Sequence, residues 1–255
     1  MAILEASQVT KAFGGLTAVK DVDLVINEKE IVALIGPNGA GKTTFFNLIT
    51  GMYEVTSGTI KFEGNTLGQY RPYEITQMGI ARTFQNIRLF NSMTVLQNVM
   101  VGQYCRTHSG LSSIIFRLPT MRVEEKMVNE KCMEILSFLG LADLANELAT
   151  NLPYGLQRKV EIARAMATEP RLLLLDEPAA GMNKAEKEEV LAVIRKLRDR
   201  GLTVFLIEHD MKMVMKISDR VAVLDHGYKI AEGLPEEIQK NPQVIAAYLG
   251  KGGAA

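Results

Sequence analysis

The feature that most constrains this chain is a run of nine residues, Gly36, Pro37, Asn38, Gly39, Ala40, Gly41, Lys42, Thr43 and Thr44, which fits the pattern G-x-x-x-x-G-K-[ST]. After Glu30, the apolar residues 31–35 form a short run that stops at glycine, which predicts a buried strand over 30–35. Residues 42–50 predict a helix that closes near Gly51. Glycines at such a junction permit backbone conformations that a side chain forbids, so successive N–H groups can turn toward one anion. The helix N-terminus adds a partial positive charge at the same point. Lys42 would then reach the outer phosphates of a nucleoside triphosphate, and the Thr43 hydroxyl would offer a ligand to Mg²⁺. A glycine-rich turn without a ligand has no use for the lysine, the hydroxyl and the flanking strand together.

A second run supplies what the phosphate loop lacks. Residues 172–176 are four leucines and a terminal aspartate, an apolar strand ending in Asp176. A carboxylate there suits an outer hold on Mg²⁺, and Glu177 beside it is placed to orient an attacking water. Further strands are predicted at residues 3–9, 19–26, 59–62, 203–207 and 221–224, with a helix at 184–200. That alternation is the pattern of a parallel sheet with helices packed on it. Between residues 88 and 165 the pattern turns helical, with an apolar stripe at Val128, Cys132, Ile135, Leu136 and Leu139 and a second helical run at 158–167. Met211, Met213 and Met215 are read as packing residues. The expected fold is α/β: a phosphate-loop core of residues 1–87 plus 166–255, a helical insert at 88–165, and frayed residues at 250–255.

Charge and cysteines exclude more than they identify. With 29 basic and 29 acidic residues the net charge is zero, which supports neither nucleic-acid binding nor a polybasic membrane anchor. Cys105 and Cys132 lack metal-ligand spacing and read as free thiols. The first residues lack a basic start and a long apolar run, and no stretch reaches the roughly 18–20 apolar residues that span a bilayer. The expected location is cytoplasmic, with any membrane role supplied by a partner.

The phosphate loop, Gln85 after Arg82, Thr83 and Phe84, the triplet Asp176, Glu177 and Pro178, and His209 between Glu208 and Asp210 resemble, in order and spacing, the ATP-binding subunits of ABC transporters. The resemblance covers nearly the whole chain. It implies a mixed sheet, an antiparallel β subdomain, an inserted helical subdomain, and hydrolysis of ATP with Mg²⁺. It also implies that Gln85 reaches the metal and water while linking the site to the insert, and that His209 contacts the γ-phosphate. Phe13 falls where the family stacks an aromatic on adenine, with Val19 flanking the base; a core role for Phe13 is the alternative. Where the family has L-S-G-G-Q, this chain has Leu152, Pro153, Tyr154, Gly155 and Leu156. Proline offers neither hydroxyl nor N–H, so a contact to ATP held by the other subunit would rest on the amides of Tyr154 and Gly155, and ATP-driven closure would be weakened. Asn183 stands where an aspartate is usual, keeping an acceptor without the charge.

Residues 82–90, Tyr154 with Gly155, 178–183 and 241–249 further resemble the LivG-type branch, which serves branched-chain amino acid importers and in which the tyrosine and Asn183 are expected while Pro153 and Leu156 remain unusual. That implies a second related ATPase bound head to tail, two membrane permease subunits, a periplasmic binding protein, and a place on the cytoplasmic face of the inner membrane. The segment opening at Asn86 and closing at Met100 lies where the family docks a permease helix; Ile87, Leu89, Phe90 and Met93 either line that groove or belong to the core of the insert. Urea and amide importers use closely similar subunits. A GTPase is excluded because Asn183 to Glu186 ends in the wrong acid for guanine recognition and abuts Asp176 and Glu177. An ABC protein acting on nucleic acid or the ribosome is the alternative from another class; the long coiled-coil insert or second cassette usual there is not seen.

Overall fold

Three five-residue runs without an exposed side chain, β3 (Ile31–Ile35), β7 (Leu172–Asp176) and β8 (Thr203–Ile207), set the architecture, since only a sheet covered on both faces hides them. The computed structural model describes residues 1–107 and 119–249. The expected frayed residues 250–255, and positions 108–118 of the expected insert, lie outside the described residues. The remaining strands are β1 (Ala2–Phe13), β2 (Leu16–Asn27), β4 (Ser57–Phe62), β5 (Asn65–Thr66), β6 (Ile80–Arg82), β9 (Arg220–Asp225) and β10 (Tyr228–Gly233). The helices are α1 (Lys42–Ile49), α2 (Pro72–Met78), α3 (Val95–Gln103), α4 (Pro119–Phe138), α5 (Tyr154–Met166), α6 (Lys184–Asp199), α7 (Met211–Ile217), α8 (Pro235–Lys240) and α9 (Pro242–Leu249).

Six strands form one sheet in the order β10-β9-β3-β8-β7-β6, parallel except for the antiparallel edge strand β10. Four strands form an antiparallel sheet in the order β2-β1-β4-β5. Because alternate side chains leave a strand on opposite faces, the large sheet feeds two cores. Ile31, Ala33, Leu173, Leu175, Val204 and Leu206 pack against α5, α6 and α7. Val32, Leu34, Leu172, Leu174, Phe205 and Ile207 pack against α1 and the antiparallel sheet. At roughly 25 cal/mol per Å² of apolar surface, each buried leucine or isoleucine contributes about 1.5–3 kcal/mol, so this double burial is what holds the strand ends in register.

The helical expectation between residues 88 and 165 meets α3, α4 and α5, with no named strand between β6 and β7 among the described residues. The second helix starts four residues earlier than its apolar pattern suggested. Pro153 stands at its N-cap (φ −55°, ψ 152°), and its carbonyl accepts from the amides of Leu156 (3.0 Å) and Gln157 (3.0 Å). Asn98, fully buried on α3, accepts from the Phe90 amide and donates to the carbonyls of Phe90, Met93 and Thr94. It thereby fixes the turn that follows Gln85. Met213 is buried and Met211 and Met215 pack against the same core. Cys105 and Cys132 are free, and burial pushes the Cys132 thiol up to about 11. No helix among the described residues is long and apolar enough to cross a membrane.

Candidate functional site

The carboxyl ends of β3, β7 and β8 are neighbours in the sheet, and the predicted groups leave from all three, the position at which open α/β sheets bind ligands. After β3 the chain turns through Gly36 (φ 147°), Gly39 (φ 82°) and Gly41 (φ 99°), a backbone region that favours glycine. At two of them the lack of a side chain is also a packing demand. A Cβ on Gly36 would lie 2.0 Å from the Leu224 carbonyl oxygen, and one on Gly41 would lie 2.3 Å from that of Ala18.

Gly41 caps α1 without any side-chain hydrogen bond, and the first turn holds no acidic residue. The helix therefore presents its leading amides and positive dipole end with nothing of its own to quench them. Lys42 is buried, and its ammonium donates to the carbonyls of Gly36 (2.7 Å) and Pro37 (2.9 Å). Burial pulls its pKa below the ordinary lysine value, while Glu177 and Asp176 act in the opposite direction. Thr43 is exposed at the helix start, and Asn38 and Gly39 are exposed in the loop before it.

Glu177 follows β7 in a left-handed backbone conformation (φ 47°), uncommon for a residue with a side chain and a cost of order 1 kcal/mol that concentrates at functional positions. The Gln85 amide donates to Glu177 Oε2 at 2.9 Å, and His209 Nδ1 stands 3.6 Å from the same oxygen, an electrostatic approach longer than a hydrogen bond. Gln85, Glu177 and His209 thus converge, although they are far apart in sequence. Asp176 is buried, with Oδ2 held by Arg82 at 2.7 Å; Arg82 also donates to Asn47 Oδ1 at 2.6 Å. Phe13 is 41% exposed, set edge-on to Tyr53 (5.2 Å between centroids) with the Lys11 ammonium 4.9 Å from its ring, so it is an exposed aromatic and not a core residue.

Two expectations are corrected. Val19 is fully buried and packs under Gly41, so it offers no surface to a base. Gly36 donates its amide to Tyr248 Oη (2.8 Å), and Pro37 has none, so neither offers a free amide to an anion. Tyr154 and Gly155 open α5, ahead of the helical run expected at 158–167, with Tyr154 exposed and the Gly155 backbone close against Glu186. The acceptor of Asn183 is used locally, capping α6 through the amides of Ala185 (2.9 Å) and Glu186 (3.1 Å). Ile87, Leu89 and Met93 are half-buried and Phe90 is exposed, so that segment is partly core and partly surface.

Sequence reasoning missed the residues that hold the site together. Arg158 is completely buried; it pairs with Glu161 at 2.6 Å and donates to the carbonyls of Phe84 (2.6 Å) and Gln85 (2.7 Å). Burial pushes the Glu161 carboxyl up, with Arg158 opposing. Glu208 is also buried, accepting from the amides of Ala179 (3.2 Å) and His209 (3.2 Å), and burial likewise pushes its carboxyl up. The available signals were charged residues inside otherwise apolar patterns: Arg158 and Glu161 at helical spacing, and Glu208 closing the apolar run of β8.

Comparison with known proteins places the family and the fold. The ABC transporter family model matches residues 19–180, and the branched-chain amino acid ATP-binding cassette transporter model matches residues 229–254. The chain is 47% identical to the high-affinity branched-chain amino acid transport ATP-binding protein BraF of Pseudomonas aeruginosa, covering 98% of both chains. It is 46% identical to LivG of Escherichia coli, again covering 98% of each. Among solved structures, a nucleotide-free ATP-binding cassette from an ABC transporter superposes with a TM-score of 0.86 at 34% identity, covering 98% of this chain and 100% of that one. A dimeric bacterial ABC transporter cassette superposes at 0.76 with 26% identity, covering 91% and 98%. The chain belongs to the ABC transporter ATP-binding family.

Proposed function

We propose that this chain is the ATP-hydrolysing subunit of an ABC importer that takes up branched-chain amino acids. The observation that carries the hydrolytic reading is the convergence of Gln85 and His209 on Glu177, which acts on the lysine of the phosphate loop. The similarity to branched-chain amino acid transport ATP-binding proteins supports the solute. Amides from Asn38 to Thr44 and the Lys42 ammonium bind and orient the phosphates, and Phe13 stacks on the base. Glu177, held through one oxygen by Gln85, uses the other to orient the attacking water and accept its proton. His209, exposed at the rim, contacts the terminal phosphate.

Mg²⁺ fits the donors present. Among the described residues no cluster of three acidic, histidine or cysteine groups forms a cage, whereas Thr43, Gln85 and the free oxygen of Asp176 are hard oxygen donors suited to an ion bound mostly by phosphates and water. When bound, it would neutralise charge on the outer phosphates. Two chains close head to tail, and the amides of Tyr154 and Gly155 approach the nucleotide of the partner. The helical segment 88–165 moves as a subdomain, and residues 86–100 dock a permease helix on the cytoplasmic face of the membrane. A periplasmic binding protein delivers the solute, and hydrolysis resets the pair.

The test is leucine uptake and ATP turnover in membranes carrying the assembled transporter. Wild-type chain is expected to support both, and Lys42→Ala neither. Turnover that persists in Lys42→Ala would overturn the site, and turnover stimulated by a solute of another class would redirect the substrate.

A further inference from the structure

The first residue of the phosphate loop is gripped by the last helix of the described chain. The Gly36 amide donates to the phenol oxygen of Tyr248, 212 positions later, at 2.8 Å. On its other side Gly36 lies so close to the Leu224 carbonyl that no Cβ fits. The far end of the same loop is tied to the same region, because Gly227 donates its amide to the Ala40 carbonyl at 3.1 Å. The turn between β9 and β10 and the helix α9 therefore back the loop from behind, leaving its anion-facing side free.

The helix that carries Tyr248 has its own anchors. Asn241 accepts from the amides of Gln243 (2.9 Å) and Val244 (3.4 Å), and Val244 is buried in the core. The phenol thus reaches the loop from a fixed platform. Tyr248 as a whole is 39% exposed, so removing the hydroxyl leaves no large cavity behind. Burial holds the phenol above its ordinary pKa and the Gly36 amide opposes, so it stays a neutral acceptor.

We propose that Tyr248 is a positioning residue for the phosphate loop, and that docking of α9 and binding of nucleotide stabilise one another through its hydroxyl. A loop with three residues at positive φ gains cradle geometry only when its ends are held. A loop that leaves the cradle for part of the time binds phosphate less tightly by that fraction. Reciprocity then requires that bound nucleotide also holds α9 in place. The inference rests on the nucleotide reading above.

Tyr248→Phe in the full chain tests it. One neutral hydrogen bond changes an equilibrium by about threefold to tenfold, so the dissociation constants of ATP and ADP should rise together by that factor. Turnover at saturating ATP should change by less than about twofold, because the hydroxyl touches no reacting atom. Unchanged dissociation constants would overturn the proposal, whether or not the unfolding midpoint falls. A second measurement needs no variant: in the wild-type chain, ADP should slow amide exchange in residues 244–249, and unaltered exchange would overturn the linkage. A wild type that binds no nucleotide would sink both readings, whereas equal binding by both chains sinks this one alone.

Discussion

Arg158→Met probes how the loop carrying Gln85 is held. The guanidinium is fully buried, and its partner Glu161 has a side chain only 2% exposed. Removing it strands a buried carboxylate and takes donors from the carbonyls of Phe84 and Gln85. Breaking one side of such a pair costs about 3–5 kcal/mol. For a chain of this size 1 kcal/mol moves the unfolding midpoint by about 2–4 °C, so the variant should melt about 6–20 °C lower. Replacing both partners, Arg158→Met with Glu161→Leu, exchanges the pair for apolar packing and should recover most of the loss. Hydrolysis should not recover with it, because the carbonyls before and at Gln85 still lack an anchor and the amide that steadies Glu177 is loosened. Calorimetric melting and ATP turnover on the wild type and both variants read these separately. A single variant that melts within about 2 °C of wild type, or a double variant with full turnover, would refute the reasoning.

Other outcomes follow from the same geometry. Phe13→Ala should weaken ATP binding about tenfold with little change in melting, since the ring is exposed; equal binding would remove Phe13 from the base site. Glu208→Gln tests the buried carboxylate beside His209. Its folded pKa lies above the ordinary value of 4.5, so the stabilisation it provides is complete below that pH and is lost as pH rises through the folded value. Denaturant midpoints of the variant, relative to wild type, should therefore improve from pH 4 to pH 8, and a flat or opposite trend would contradict the assignment. Pro153→Ser should strengthen ATP-driven dimer formation, measured by light scattering on chains slowed by Glu177→Gln, and an unaltered dimer fraction would show that the missing hydroxyl is immaterial.

The parts of this molecule legible in the sequence are those set by local patterns. The phosphate loop, the apolar strands that end at Asp176 and Ile207, and the stripe that became α4 each declare themselves over a few residues. Gln85 and His209 were reached through resemblance, since a lone glutamine before a loop carries no local signal. The edge strands β6 and β10 were not anticipated because β6 is three residues long and β10 is half-exposed, so neither shows a clean apolar run. The bonds from Arg158 to the Phe84 and Gln85 carbonyls and the grip of Tyr248 on Gly36 join residues more than 70 and 200 positions apart, and only packing brings them together. Val19 was placed beside the base through resemblance alone, and in the structure it is fully buried.

The central claim is met most directly by a crystal structure of the Glu177→Gln chain grown with ATP and magnesium. The account predicts an intact triphosphate wrapped by amides between Asn38 and Thr44, its last phosphate within hydrogen-bond reach of Lys42 and beside Gln85, residue 177 and His209. A triphosphate bound elsewhere, or a last phosphate turned away from residue 177, would contradict it.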